Sequence, residues 1–214
     1  QQLTGEQDFM GLTFSVNEHV LIPRQDTEIL VEEVLKELHD GMRVLDMCTG
    51  SGCILLSLLH YSNDCEGLGV DLSAEALEVA GRNVLKVLTP EKAEHAHFLQ
   101  SDLFEKVEGK FEIIVSNPPY IASAEVEKLM PEVRDHEPRM ALDGTEDGLY
   151  FYRRIIEEAG KHLVSSGMLF FEIGYDQGQA VSELMRTGGY REVQVVQDYA
   201  GLDRVVLGTY VERN

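Results

Sequence analysis

Tryptophan is absent from the 214 residues and cysteine is scarce. Cys48, Cys53 and Cys65 are odd in number and form no C-x-x-C pair, so neither a disulfide framework nor a cysteine zinc site is indicated. Reduced thiols in a cytoplasmic protein are the plain reading. Long apolar runs are also missing. None reaches the roughly 18 residues of a membrane span, and Gln1 to Asp8 is polar, with no basic stretch leading into an apolar one. No membrane association and no address are expected. Gln1 stands where an initiator Met would, which reads as a processed or trimmed chain. Basic residues are few: 18 Lys and Arg face 38 Asp and Glu, a formal charge of −20. Phosphate backbones are held largely by Lys and Arg, so nucleic acid is not expected as the main partner, and a basic or neutral partner fits better.

What is present suffices for one substantial core, since 43% of the residues are apolar. Apolar runs bounded by turn residues alternate with helical periodicity, the pattern of βα units and a largely parallel sheet. Strands are expected at Arg43–Met47, Gly67–Val70, Ala96–Leu99, Glu112–Ser116, Met168–Ile173, Val193–Gln197 and Arg204–Tyr210. Helices are expected at Cys53–His60, Ala74–Leu88, Val126–Met130, Leu149–Leu163 and Gln179–Arg186. Only Asp198 to Asp203 separates the last two strands, too little for a crossover, so that pair should be antiparallel. The fold class is therefore α/β, Rossmann-like: a mainly parallel seven-stranded sheet with a reversed C-terminal strand and helices on both faces. Ahead of it, Phe9 to Ile22 reads as a short hairpin or extended arm around Asn17-Glu18, ended by Pro23. A helix capped by Asp26 or Thr27 then buries Ile29, Leu30, Val34, Leu35 and Leu38, and Gly41 closes it. Residues 1–24 form the arm and 25–214 the main domain.

Asp46-Met47-Cys48-Thr49-Gly50-Ser51-Gly52 leaves an expected strand and enters an expected helix, with glycines where the backbone must turn and admit a ligand. Asp71 ends the next strand, 25 residues on, where a carboxylate accepts from the ribose hydroxyls of an adenosine. Leu72 follows it. After the third strand, Asp102 is placed to meet an adenine amino group and Leu103 to cover the ring. Each aspartate also has a purely structural reading as a turn cap; their joint placement at successive strand ends favours the ligand. A pyrophosphate wants a third glycine, where this chain has Leu55. S-adenosylmethionine has no phosphate, and its cationic sulfur suits an acidic neighbour such as Asp46.

Asn117-Pro118-Pro119-Tyr120 leaves the buried run Ile113-Ile114-Val115-Ser116 at the edge where open α/β sheets bind ligands. The prolines remove backbone donors and hold Asn117 extended, giving a stiff shelf of acceptors. The Asn117 side-chain oxygen and the Pro118 carbonyl each accept one N–H of a planar NH2 group, directing its lone pair at the methyl donor, while Tyr120 packs on the flat face. A strand-terminal Pro-Pro turn is the structural alternative for the tetrapeptide taken alone.

These segments make the chain resemble the bacterial release-factor glutamine methyltransferases, over nearly its whole length. The resemblance is carried by Leu21-Ile22-Pro23-Arg24-Gln25-Asp26-Thr27-Glu28, the 46–52 loop, Ser116 to Tyr120, Glu137-Pro138-Arg139, Ala141-Leu142-Asp143-Gly144, Asp147-Gly148 and Asp198 to Arg204. It implies a class I fold, S-adenosylmethionine as cofactor with S-adenosylhomocysteine as product, and methylation of the glutamine in the Gly-Gly-Gln loop of class 1 peptide chain release factors. Cofactor contacts then fall to Cys48, Thr49, Gly50, Ser51, Gly52, Asp71, Leu103 and Asn117, substrate contacts to Asn117, Pro118, Pro119 and Tyr120. The tetrapeptide is shared with methyltransferases acting on adenine or guanine amino groups, which keeps a nucleic-acid amino-group methyltransferase as the alternative. Cys48 stands where the family usually has glycine, and Gln25 where it usually has proline. The family normally begins with a small helical domain that helps grip the release factor, and this chain starts at about the hairpin after it.

Three further features read as structural. Arg24 is placed either to help close the site or to pair with Asp26 or Glu28. His95 and His97 point to one face of a strand edge, too few for a tetrahedral metal site, so no metal is expected. Glu125, Glu127 and Glu132 read as a solvated helix face.

Overall fold

The computed structural model describes residues 5–129, 131–134 and 137–213. A hairpin of β1 (Glu6–Phe9) and β2 (Leu12–Ser15) comes first. It is followed by α1 (Glu28–Leu35), β3 (Arg43–Met47), α2 (Cys53–His60), β4 (Glu66–Asp71), α3 (Ala74–Val87), α4 (Pro90–Ala93) and β5 (Ala96–Gln100). Then come β6 (Phe111–Ser116), three short helices α5 (Ser123–Val126), α6 (Pro131–Arg134) and α7 (Arg139–Leu142), α8 (Tyr150–Ala159), β7 (Leu163–Glu172), α9 (Gly178–Thr187), β8 (Tyr190–Gln197) and β9 (Asp203–Tyr210).

The main sheet has the strand order β5-β4-β3-β6-β7-β9-β8. Strands β3 to β7 run parallel, and β9 lies antiparallel between β7 and β8. This is the expected class I methyltransferase architecture. The chain runs outward from β3 through β4 to β5, then returns to place β6 on the other side of β3. That reversal opens a crevice at the carboxyl ends of β3 and β6, where open α/β sheets hold ligands.

Each buried element follows from its side chains. In α2, Cys53 to Leu59 is buried on every side, so this helix lies fully inside. α3 buries Ala76, Val79, Ala80, Asn83 and Val87 at helical spacing, and the Ser73 hydroxyl caps it by accepting from the Ala76 amide at 3.1 Å. Alternation along the strands divides the core. Val44, Val115 and Phe170 face α1, α2 and the hairpin, whereas Leu45, Ile114 and Phe171 face α8 and α9.

Four expectations are corrected. The hairpin turns at Met10-Gly11, not Asn17-Glu18: both turn residues have positive φ, 53° and 74°, the two-residue geometry that matches strand twist. Asn17 instead accepts from the His19 amide at 2.9 Å in a local turn. Thr27 precedes α1 with helical φ and ψ and caps nothing with its side chain, because its hydroxyl donates to Glu172. Leu163 ends no helix; it pairs with Phe111 as the first residue of β7. The helix expected at Val126–Met130 lies earlier, at Ser123–Val126, and Met130 is outside the described residues.

Candidate active site

Asp46 is the next-to-last residue of β3, a strand buried from Val44 onward, and is itself fully buried. The Thr49 hydroxyl donates to its Oδ2 at 2.7 Å, and its other oxygen lies beside the Leu55 amide without completing a hydrogen bond. Loss of water pushes the Asp46 carboxyl up to about 7, against the lowering effect of Thr49. The chain then turns through left-handed Cys48, Gly50 and Gly52, φ 64°, 56° and 81°. Left-handed backbone favours glycine, so Cys48 is held by its surroundings: the Thr49 amide donates to the Val70 carbonyl at 2.9 Å. Burial and the nearby Asp71 and Asp46 raise the Cys48 thiol well above its ordinary value, leaving it neutral.

Asp71 closes the turn from the next strand. Its Oδ2 accepts from the Gly50 amide at 2.9 Å and its Oδ1 from the Ser73 amide at 2.9 Å. Burial raises its carboxyl while these amides oppose the rise. A side chain at Gly50 would meet nothing within 4 Å, so the space above this loop is open.

That space is a cavity of about 340 Å³. Of the residues expected at a cofactor site, Cys48, Thr49, Gly50, Ser51, Asp71, Leu72, Asp102, Leu103 and Asn117 line it. Asp46 and Gly52 do not: Asp46 lies beneath the loop, and Gly52 packs where a Cβ would meet Ala80 and Leu56 at 3.2 Å. Asp102 is not free, because Arg154 Nη1 donates to its Oδ1 at 3.0 Å. The opposite wall is the strap His19 to Arg24, together with Pro138, Met140 and Ala141.

A second cavity, about 310 Å³, adjoins the first. Leu21, Arg24, Thr27, Asn117 and Ala141 belong to both walls. Pro118 and Tyr120 face the second cavity and Pro119 the first, as alternate residues of an extended segment must. Pro119 is thereby separated from the other expected substrate contacts. The Asn117 Oδ1 is buried and has no hydrogen-bond partner among the described residues, a costly state unless a donor arrives.

The tetrapeptide is braced from behind. The Ser116 hydroxyl donates to the Met47 carbonyl at 2.6 Å, Gln177 Nε2 to the Tyr120 carbonyl at 2.9 Å, and the Gly144 amide to the Ile121 carbonyl at 2.7 Å. Asp143 folds its own loop by accepting from the Ser123 hydroxyl at 2.7 Å and the Thr145 amide at 2.9 Å. Glu137, buried, clasps the strap: its Oε1 accepts from the Ile22 amide at 2.8 Å and its Oε2 from Arg24 Nη2 at 2.6 Å. Arg24 thus pairs across the fold, not with its sequence neighbours. Asp198 receives the Ala200 and Leu202 amides at 3.0 and 3.1 Å and Arg204 Nε at 3.2 Å.

One residue escaped the sequence reading. Glu172 ends β7, is 3% exposed and lines the second cavity. The Tyr120 hydroxyl donates to its Oε2 at 3.2 Å. Its signal was there: a single acid inside the apolar run Met168 to Ile173. His95 and His97 both lie on Glu66 of the neighbouring strand, and among the described residues no group of three His, Cys, Asp or Glu is arranged to hold a metal. No helix among them is long and apolar enough to cross a membrane.

The Methyltransferase small domain family model matches residues 24–133. The release factor glutamine methyltransferase of Thermodesulfovibrio yellowstonii is 43% identical over 212 residues, 97% of this chain and 75% of that one. The chain belongs to the release factor glutamine methyltransferase family. The Clostridium acetobutylicum member is 46% identical over 209 residues, 96% of this chain and 73% of its own. Among solved structures, the release factor-specific protein-(glutamine-N5) methyltransferase of Alicyclobacillus acidocaldarius superposes with a TM-score of 0.53 at 31% identity, covering 93% of this chain and all of that one. The family's flanking segments now have physical roles. Those at 21–28 and 137–144 meet in the Glu137 clasp, Asp143 folds the loop that follows, and the segment at 198–204 folds around Asp198.

Proposed function

We propose that this family member transfers a methyl group from S-adenosylmethionine to the side-chain amide nitrogen of the glutamine in the Gly-Gly-Gln loop of class 1 release factors. The observation that carries this reading is the Asn117 Oδ1, buried between two cavities and without a partner among the described residues. A substrate NH2 entering the second cavity supplies the missing donor. The larger cavity fits the cofactor: it has open space over Gly50, the Asp71 carboxylate, held by amides and lining the cavity, for ribose hydroxyls, and the apolar Leu103 and Leu72 for a ring. Ion pairing with Arg154 leaves the second oxygen of Asp102 for an adenine amino group. Asp46 acts through Thr49 rather than by touching the ligand.

Bound S-adenosylmethionine supplies a methyl group on a cationic sulfur. Everything else is done by the chain. Asn117 Oδ1 and the Pro118 carbonyl each hold one amide N–H, which turns the nitrogen lone pair toward the larger cavity and favours its becoming tetrahedral. Tyr120 and the apolar walls Leu21, Ile121 and Leu142 exclude water around the amide. An amide nitrogen is a weak nucleophile, so orientation and electrostatics supply most of the acceleration.

A release-factor substrate sets the reaction in the cytoplasm. A base as acceptor would have to be drawn from its stack into the second cavity by a chain whose charge of −20 opposes approach to a phosphate backbone. The test is incubation with methyl-labelled S-adenosylmethionine and, separately, a class 1 release factor, its Gly-Gly-Gln glutamine variant, duplex DNA and ribosomal RNA. Label is expected on the unaltered release factor alone. Label on nucleic acid and none on the release factor would overturn the reading.

A further inference from the structure

Glu172 places a buried carboxyl group in the wall of the second cavity, which Arg24 also lines. It follows Phe171, which pairs with Ser116 across β6 and β7, so it sits level with Asn117 at the sheet edge. Its carboxylate is nearly inaccessible, and it lines the acceptor cavity beside Leu21, Ile121, Leu129 and Leu142. Burying a carboxylate costs several kcal/mol unless partners compensate, and here they come from four sides. Thr27, ahead of α1, donates its hydroxyl to Oε1. Tyr120, beyond β6, donates to Oε2 at 3.2 Å. Arg204 on β9 and Arg24 on the strap provide positive charge. Separately, Tyr152 on α8 fixes the backbone by donating to the Glu172 main-chain carbonyl at 2.7 Å. Arg204 is itself fixed by Asp198 at 3.2 Å, Asp26 at 3.7 Å and the Ile173 carbonyl at 3.3 Å. So much machinery around one acid points to an anion kept in place for use.

Resting on the function proposed above, we infer that ionised Glu172 is the fixed counter-charge of the acceptor cavity, favouring movement of positive charge from the donor sulfur to the substrate amide and holding Tyr120 in register. As the nitrogen lone pair forms the N–C bond, the S–C pair stays with sulfur as a neutral thioether. The positive charge then resides on the methylated amide until one N–H proton leaves to solvent as the product departs the cavity. A buried anion at the acceptor end is more favourable after this displacement than before it, and such a difference accelerates the step. Glu172 acts here by charge and through Tyr120, not as the proton acceptor.

Glu172→Gln removes the charge while keeping one acceptor oxygen for Thr27 or Tyr120; toward the other hydroxyl it presents an N–H donor, which that hydroxyl oxygen can accept. Expected is a fall in kcat on the order of 100-fold, with KM for the release factor and cofactor affinity within about threefold. A kcat within threefold of the parent would overturn the inference, as would an equal loss of kcat, cofactor affinity and melting temperature, which marks a packing role. Thr27→Val provides a second arm. Burial raises the Glu172 carboxyl above its ordinary value, and the Thr27 hydroxyl, Arg204, Tyr120 and Arg24 each oppose that rise, so losing the hydroxyl moves the acidic limb of the kcat profile to higher pH. An unmoved limb counts against the inference. A third arm needs no acceptor: the infrared difference between parent and Glu172→Gln at pH 7.5 should contain a carboxylate stretch. A protonated carbonyl stretch there refutes the counter-charge even where no release factor is labelled, whereas failure of the functional reading appears only in the labelling of the parent.

Discussion

Two polar residues of the site carry opposite kinds of incompleteness, and each predicts a different measurement. Asn117 lacks a donor for its oxygen among the described residues. Asn117→Ala removes that acceptor without touching the Asp71 loop, so S-adenosylmethionine affinity should stay within about threefold while methyl transfer falls by more than about 100-fold. Equal loss of binding and transfer, read by calorimetry and by label incorporation, would show Asn117 to be a cofactor residue first. Asp46 lacks water. Its carboxyl, raised from 3.8 to about 7, binds a proton more tightly in the folded chain than in the unfolded one. The stability this contributes is complete below pH 3.8 and is lost as pH rises through about 7, a difference on the order of 4 kcal/mol at 1.36 kcal/mol per unit. A cationic sulfur above the loop would favour the ionised form. Binding of S-adenosylmethionine near pH 7 should therefore expel up to about half a proton, seen as a dependence of binding enthalpy on buffer ionisation enthalpy. Neutral S-adenosylhomocysteine should expel less, and Asp46→Asn should abolish the difference. The same proton count for both ligands would separate Asp46 from the sulfonium.

At the level of elements, the regular pieces were legible in the sequence because their periodicity is set by burial on one face, as in α3, or on two, as in β6. The reversed pair β8 and β9 was legible because so short a connection forbids a crossover. Short helices such as α4 and α7 carry too few residues to show a period. The Met10-Gly11 turn was hidden because Met10 adopts its left-handed φ through the fold: its amide donates to Glu28 at 2.6 Å. Of the site, the cofactor loop and the tetrapeptide could be read as contiguous motifs. The Glu137 clasp, 115 residues from Ile22, and the Glu172–Thr27 contact, 145 apart, could not. Between motif and brace lies Gly148, φ 76°, where an added Cβ would stand 2.5 Å from the Tyr120 carbonyl oxygen and 3.1 Å from Gln177 Nε2. Gly148→Ala should cost about 1–3 kcal/mol of stability and displace the tetrapeptide, lowering kcat by more than about tenfold with cofactor affinity nearly unchanged. Retained kcat with lowered melting temperature would mean that the shelf is stiff enough without Gln177.

The whole molecule joins an apparently peripheral arm to its centre. Phe14 of β2 is fully buried in the same cluster as Leu55 of α2 and Val115 of β6, with Phe9 against it edge-on at 6.2 Å. From the other side of the hairpin, the fully buried Asn83 of α3 accepts from the Ser15 amide at 2.7 Å and donates to the Ser15 and Ser51 carbonyls at 3.1 and 2.9 Å. The arm, α3 and the cofactor loop thus share one hydrogen-bonding residue, and the strap that continues the arm walls both cavities. An arm merely resting on the domain could be loosened at little cost to the rest. Here, Phe14→Ala should destabilise the entire chain by about 3–5 kcal/mol, in a single transition with an unchanged denaturant slope. Cofactor affinity should weaken as well, because Ser51 loses the fixed position that Ser15 and Asn83 give it. A separate early transition in which the hairpin melts while cofactor affinity survives would show that the site is built by the 25–213 body alone.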